Sequence, residues 1–316
     1  MSNGFSDHMI KAIRVHQYGG SEELQFEEIP RPQPGEGEVL VRVHSAGVLP
    51  IEWKVREGMF KKFRPLTFPY IPGSSLAGIV EEVGPGVTAF TKGQAVFGRT
   101  TYGSYSEYAL ASADFLVPLP VGLTFDEAAT ISGGATTAWS ALFEVGGLEA
   151  GERVLIHGAA GGVGLFAVQL AKWRGAEVIV TCGTDNVDYA ASLGADVVVD
   201  YKQARFEDAA ADVDLVLDTV GGETQNRSFE VLKPGGRLIS LVSQPSAERA
   251  QERGVKAMFS NKLPAVDALS KIAALMADGL VKTHVGAHFQ LAEAAKAQDL
   301  SQSGHGRGRI VLHLAD

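Results

Sequence analysis

Apolar and polar positions alternate in short bursts over roughly the first 125 residues. EVLVRVHSAGV (38–48) alternates as a strand with one buried face does, and LAGIVEEVGPGV (76–87) runs as a strand into a Gly-Pro-Gly turn. In QAVFGRTTYGSYSEYALA (94–111) glycines divide extended segments. Many short strands with Gly/Pro punctuation predict a β-rich, barrel-like domain. The period changes near Thr124, where FDEAATISGGATTAWSALFE (125–144) takes up helical spacing. From Arg153 strands and helices alternate strictly. RVLIHG is a strand, VGLFAVQLAKWRG a helix closed by Gly175, EVIVTC (177–182) a strand, and VDYAASLG (187–194) a helix that again ends in glycine. ADVVVDY, DLVLDTVG and GRLISLV add three strands. Apolar runs of about five residues alternating with helices predict an α/β fold with a doubly wound parallel sheet. A helix (ALSKIAALMADG) and a last strand, RIVLHL (309–314), close the chain.

Composition narrows the class. With 316 residues, 45% of them hydrophobic and 21% charged, the chain has the material for two full cores. A net charge of −9 lacks the basic footprint of a nucleic-acid or anionic-membrane partner, so neither is expected. Cys182 is the single cysteine, which rules out an intramolecular disulfide and a cysteine-rich zinc site. MSNGFSDHMIKA has no apolar core of signal-peptide length, and no stretch reaches the unbroken apolar length of a membrane span. These readings predict a cytoplasmic protein. Residues 1–8 read as a flexible polar extension.

The glycine cluster after the strand RVLIHG carries the first chemistry. Ala159-x-Gly161-x-x-Gly164 follows the G-x-G-x-x-G dinucleotide fingerprint with alanine at its first position. It lies between a strand and a helix. There, glycines let the backbone turn tightly and a pyrophosphate approach the N–H groups at the helix start. Ala160, Gly161, Gly162, Val163 and Gly164 are therefore candidate cofactor contacts. The second strand ends in Val180-Thr181-Cys182-Gly183-Thr184, without the carboxylate that holds the ribose of NAD. Thr181, Gly183 and Thr184 become candidates for a 2′-phosphate, which favours NADPH. Asp185 and Asp188, with no basic residue close behind, weigh toward NADH. Val242 and Ser243, after the fifth strand, stand where ligands meet such sheets. Phe60, Phe63 and Tyr70, in a Gly/Pro-bounded segment, are candidate linings of an apolar substrate cleft.

Taken in order, several segments resemble the medium-chain dehydrogenase/reductase superfamily, in its zinc-free quinone oxidoreductase branch. MIKAIRVHQYGG resembles its opening strand, and AGVLPIEWKVREG (46–58) its Ala-Gly-Val-Asn-Pro-x-Asp-x-Lys-x-Arg-x-Gly segment. FPYIPGSSLAGIVEEVGPGV (68–87), GSYSEYALA, GGATTAWSAL, GAAGGVG and GRGRIVL complete the series. The resemblance implies a GroES-like barrel over 9–127, a Rossmann domain over 128–264, and a segment 265–316 returning to the barrel. It implies a homodimer. It also implies cofactor contacts at Thr137, beside the nicotinamide, at Tyr201, and at Arg309, closing over the cofactor. Leu49 and Glu52 occupy the family's Asn and Asp positions beside the reaction centre, which suggests a more apolar substrate pocket.

Metal is not expected. Zinc-dependent relatives carry cysteine and histidine ligands where this chain has Leu49 and Gly73-Ser74-Ser75, and no cysteine lies near Thr137. Leucine cannot ligate and a serine hydroxyl is a poor zinc ligand. His284 and His288 are four apart, but Gly286 separates them and no H-E-x-x-H pattern is present. Without a Lewis acid, hydride transfer suits an acceptor that delocalises the charge it gains, such as a quinone or an α,β-unsaturated carbonyl. The expected partner is a small electrophile of that kind, and no general acid stands out. A reductase of enoyl thioesters is one alternative reading. A cofactor-binding sensor with little turnover is another.

Overall fold

The structure, a computed structural model, describes residues 8–304 and 306–314. Apart from His8, the expected extension 1–8 lies outside the described residues. The chain divides into two compact units, 1–133 with 285–316, and 134–284.

The first unit opens with β1 (Met9–Arg14), paired antiparallel with β2 (Gln25–Pro30). The long β3 (Glu38–Val48) leads to α1 (Pro50–Arg56), then β4 (Ser75–Val83), β5 (Ala95–Arg99), β6 (Tyr108–Ser112), β7 (Leu116–Pro118) and α2 (Phe125–Ala129). The second unit begins with α3 (Thr136–Trp139), followed by β8 (Arg153–His157), α4 (Gly164–Arg174), β9 (Glu177–Cys182), α5 (Val187–Ser192), β10 (Val197–Asp200) and β11 (Val213–Asp218). It continues through α6 (Gly222–Ser228), β12 (Leu232–Ser240), α7 (Ala247–Arg253), β13 (Lys256–Phe259) and α8 (Val266–Ala277). The chain then rejoins the first unit as β14 (Val285–Gln290), α9 (Ala294–Ser303) and β15 (Arg309–His313).

The sheet of the first unit runs β14-β15-β3-β4-β5-β7, with β6 also on β3. Its core gathers Val39, Val41 and Val43 of β3 with Leu76, Val80, Val96 and Leu116, and Leu312 of β15 joins them. Burying that leucine on β3 is what draws the C-terminal strand into this sheet. Inside the unit Arg56 is fully buried, its Nε donating to Gln298 Oε1 at 2.9 Å and a guanidinium nitrogen to the Gly19 carbonyl at 2.6 Å. One buried cation thus ties α1, α9 and the loop after β1.

The second unit holds a six-stranded parallel sheet in the order β10-β9-β8-β11-β12-β13. Leu165, Phe166, Ala167, Val168, Leu170 and Ala171 bury α4 nearly all round, which is why it lacks a polar stripe. Gly175 ends that helix in the left-handed conformation at φ 89°.

Two expectations change. The units divide at 133/134 and 284/285, so α8 belongs with the parallel sheet and not with the barrel. It is held there by local contacts: the Lys271 ammonium lies 6.0 Å from the Trp139 ring centroid, and the N–H of Ala265 donates to Glu144. The helical stretch 125–144 is also interrupted. Ser132 is extended and Gly133 sits at φ 79°, which separates α2 from α3. A Cβ on Gly133 would stand 2.5 Å from Leu49 Cδ1, so the close packing of Leu49 requires glycine there. Among the described residues, no helix is long and apolar enough to cross a membrane.

Candidate functional site

In the second unit the strand order reverses between β8 and β11, and the glycine turn follows β8 at that point. Open parallel sheets bind ligands at such switch points, beyond the carboxyl ends of their strands. The turn is pinned to the neighbouring strand, because the N–H groups of Gly158 and Ala159 both donate to the Thr181 carbonyl at 3.1 Å. A Cβ on Gly164 would stand 2.1 Å from the Gly158 oxygen and 2.8 Å from Ala159 Cα, so helix and turn approach within a distance only glycine allows. Leu165 donates to the Gly161 carbonyl at 3.1 Å, while the N–H groups of Gly162, Val163 and Gly164 meet no protein acceptor among the described residues. Three unsatisfied donors and the positive end of the helix dipole together make an anion-binding cradle.

The ends of β9 and β10 add to this edge. Gly183 follows β9, and Thr184 begins a short exposed turn. The hydroxyl of Tyr201, a residue 61% exposed, lies 3.3 Å from where a Cβ on Gly183 would be. Lys202 brings its Cε to 3.8 Å from the same point. Lys202 escaped the sequence reading, which looked for a base just after β9. It arrives instead from the end of the adjacent strand, twenty residues on. The structure corrects the reading of Thr181. Its side chain is buried and its hydroxyl lies 2.9 Å from His157 Nδ1, so it faces the interior and does not reach a ligand. Its carbonyl, which holds the glycine turn, is the part that serves the site.

Beneath the edge lies a fully bonded polar network. His157 contacts Thr181 on one side and Ser228 Oγ at 2.9 Å on the other, and burial pushes its imidazole down to about 4. Asp218 accepts from the N–H groups of Val220 and Gly221 at 3.0 and 2.8 Å, from Gln225 at 2.9 Å and from Ser240 at 2.8 Å. These bonds fix the turns after β11 and β12. Val242 and Ser243 sit exposed on the latter, beside Gly221. Thr137 stands on the first turn of α3, half-buried.

In the first unit, Leu49 is buried at the start of α1 and has no side-chain acceptor to cap it. Glu52 compensates by accepting from the Leu49 N–H at 3.0 Å, the Ser74 N–H at 3.1 Å and the Tyr105 hydroxyl at 2.5 Å. Burial nevertheless raises the Glu52 carboxyl to about 7, against those bonds and the charge of Arg309. Arg309 is only 4% exposed, not a solvated charge at a strand end, and burial lowers it to about 10. Its Nε and one terminal nitrogen meet no acceptor among the described residues. The three aromatic candidates do not form one lining. Phe63 is 89% exposed, Phe60 is partly exposed, and Tyr70 packs on Phe68 with its hydroxyl buried and pushed up to about 12. His284 and His288 have separate partners: His284 packs on the Tyr189 ring, while His288 faces Asp126 and His313.

An alcohol-dehydrogenase-type barrel unit and a six-stranded, Rossmann-like parallel sheet in one chain define the class. The model described as alcohol dehydrogenase GroES-like domain matches residues 35–121, and that described as zinc-binding dehydrogenase matches 193–312. A quinone oxidoreductase of Rattus norvegicus is 35% identical, over 97% of this chain and 98% of its own; that of Homo sapiens is 33% identical over the same shares. The solved quinone oxidoreductase from Coxiella burnetii superposes with a TM-score of 0.88 at 30% identity, covering 98% of this chain and all of the other. A mycobacterial protein solved in complex with NADPH gives 0.87 at 30% identity, over 96% of this chain and all of its own. The chain belongs to the medium-chain dehydrogenase/reductase superfamily, in its quinone oxidoreductase branch, and is an oxidoreductase.

Proposed function

We propose that this chain is an NADPH-dependent reductase that delivers hydride to a quinone or an α,β-unsaturated carbonyl without a catalytic metal. The observation that carries the cofactor reading is the cradle at the switch point, with three free N–H groups at the start of α4 and a glycine approach too close for any side chain. The residues present fit a dinucleotide. Ala160 to Gly164 would hold the pyrophosphate. Thr184, Tyr201 and Lys202, around Gly183, would hold the 2′-phosphate, with Lys202 supplying the cation that offsets Asp185. Thr137, Val242 and Ser243 would line the nicotinamide end of the parallel-sheet unit; within the barrel unit, Arg309 keeps N–H groups unengaged among the described residues.

Bound NADPH supplies the hydride. On the barrel unit, Leu49, Phe60 and Tyr70 are the proposed acceptor-side groups, with Glu52 setting the backbone of Leu49 through its N–H. Leu49, Ser74 and Ser75 offer no competent metal ligand, and the Ser75 hydroxyl donates to the Ala129 carbonyl at 2.5 Å. A quinone or enone spreads the charge it receives over conjugated oxygen, which makes a Lewis acid unnecessary.

Fluorescence titration with NADPH and with NADH tests the reading, followed by NADPH oxidation against a panel of quinones and enones. NADPH is expected to bind at least about tenfold tighter than NADH, and Lys202→Ala to remove most of that preference, since a hydrogen bond to a charged group is worth about 1.5–3 kcal/mol. Equal binding of NADH would overturn the 2′-phosphate assignment. Binding without turnover of any acceptor would favour the sensor reading.

A further inference from the structure

The barrel unit brings together three donor atoms from distant parts of the chain. His313 Nε2 lies 2.8 Å from Asp126 Oδ2, His288 Nδ1 lies 3.5 Å from the same oxygen, and the two ring nitrogens are 3.2 Å apart. His288 stands on β14 and His313 on the adjacent parallel β15. Register pairs His288 with Val311, two residues before His313, so both imidazoles leave the same face of the sheet. Asp126 comes from the first turn of α2, and Ser45 donates to its other oxygen at 2.5 Å, which aims Oδ2 at the imidazoles.

We propose that Asp126, His288 and His313 bind one divalent transition-metal ion of the zinc class. The spacing is the first argument. Ligands about 2.0–2.1 Å from one ion stand about 2.9–3.4 Å from one another, for octahedral and tetrahedral angles respectively. The three observed separations of 2.8, 3.2 and 3.5 Å bracket that range. The second argument is proton accounting. With His313 Nε2–H donating to Asp126 Oδ2, the same proton must also serve the Nδ1 lone pair of His288, so one proton is shared between two acceptors. A cation at the centre satisfies all three lone pairs together. The Ser45–Asp126 bond is the kind of outer contact that orients metal-ligating carboxylates.

Two imidazoles and a carboxylate select Zn²⁺, Co²⁺ or Ni²⁺ over Mg²⁺ and Ca²⁺, which prefer all-oxygen shells. The side chains of His288, His313 and Asp126 are 48, 37 and 26% exposed, so an ion can enter and water can complete its shell. None of the three is Leu49 or belongs to Gly73–Ser75, so the site stands apart from the positions where zinc-dependent relatives hold their ligands. Its role is structural. The ion would staple α2 to the returning strands β14 and β15, and it does not depend on the proposed reaction.

The test uses the full-length, tag-free chain, stripped by a chelator and titrated with Zn²⁺ by calorimetry at neutral pH. Metal analysis after dialysis and the visible spectrum of the Co²⁺ form accompany the titration. One equivalent of Zn²⁺ is expected to bind and to raise the melting temperature. His288→Ala and His313→Ala should each weaken binding at least about tenfold and abolish the Co²⁺ bands. His16→Ala, at another histidine–carboxylate pair (His16 Nε2 to Glu27 Oε1, 2.5 Å), should change nothing. If His313→Ala fails to fold, the half-exposed His288→Ala decides alone. Binding of less than one equivalent by the unaltered chain, or wild-type binding by His288→Ala, overturns the site.

Discussion

Gly161 and Gly164 belong to one fingerprint, yet the structure assigns them opposite burdens. A Cβ on Gly164 would meet two backbone atoms, Gly158 O at 2.1 Å and Ala159 Cα at 2.8 Å, and neither can rotate away. Overpacking of this kind costs about 1–3 kcal/mol or more. The better helix propensity of alanine returns at most about 1 kcal/mol, which leaves a net loss near 2 kcal/mol. For a unit of this size each kcal/mol shifts the melting temperature by about 2–4 °C, so Gly164→Ala should melt about 4–8 °C early. A Cβ on Gly161 would meet only Gly158 O, at 3.3 Å. Gly161→Ala should therefore stay within about 1 kcal/mol of wild type in stability. Its methyl group would stand where the proposed pyrophosphate approaches, so NADPH affinity should fall more than about tenfold, or about 1.4 kcal/mol. Calorimetric melting and cofactor titration of both variants separate the two effects. Equal melting of the two variants would refute the packing argument. Wild-type NADPH affinity in Gly161→Ala would refute the ligand argument.

Other expectations follow from buried charge. Glu52 rises from 4.5 to about 7 on folding, so its contribution to stability is present below pH 4.5 and is lost as pH rises through about 7, by up to about 3 kcal/mol. Urea unfolding of wild type and Glu52→Gln across pH 5 to 8 should show the advantage of wild type shrinking as pH rises; a constant gap would contradict this. His157 falls from 6.5 to about 4, so its contribution is present above pH 6.5 and is lost as pH falls toward 4. Its imidazole should be neutral at pH 5 by NMR, and a protonated ring there would show that the Thr181 and Ser228 contacts do not hold it. Arg56→Ala leaves the buried Gln298 Oε1 and Gly19 carbonyl without their donor and opens a cavity, and should cost about 2–5 kcal/mol in denaturant unfolding. A loss under about 1 kcal/mol would mean that Arg56 is hydrated.

The local grammar of this chain was legible from residue order. Alternation over 38–48 and the strand–glycine–helix passage from Arg153 to Gly175 rest on interactions between near neighbours: pleat direction, turn dihedrals, helix caps. Those forces act within a few residues, so a linear reading finds them. The glycine turn after β8, the proposed cofactor edge, was visible for the same reason, because its defining glycines are contiguous.

What the linear reading missed depends on register between distant segments. Helix 125–144 breaks because Leu49, eighty-four residues before Gly133, packs onto that glycine. Thr181 turns inward because His157, on the next strand, occupies its side. Lys202 reaches Gly183 only because β10 lies beside β9, and Arg56 is buried only because α9 returns to α1. His288 looked like half of a pair with His284, yet strand pairing set it beside His313 and Asp126. Residue order by itself determined which elements form and where a dinucleotide could turn. Only the tertiary structure decided which charges and ligating atoms face one another, because that choice belongs to strand register and to the burial of groups hundreds of residues apart.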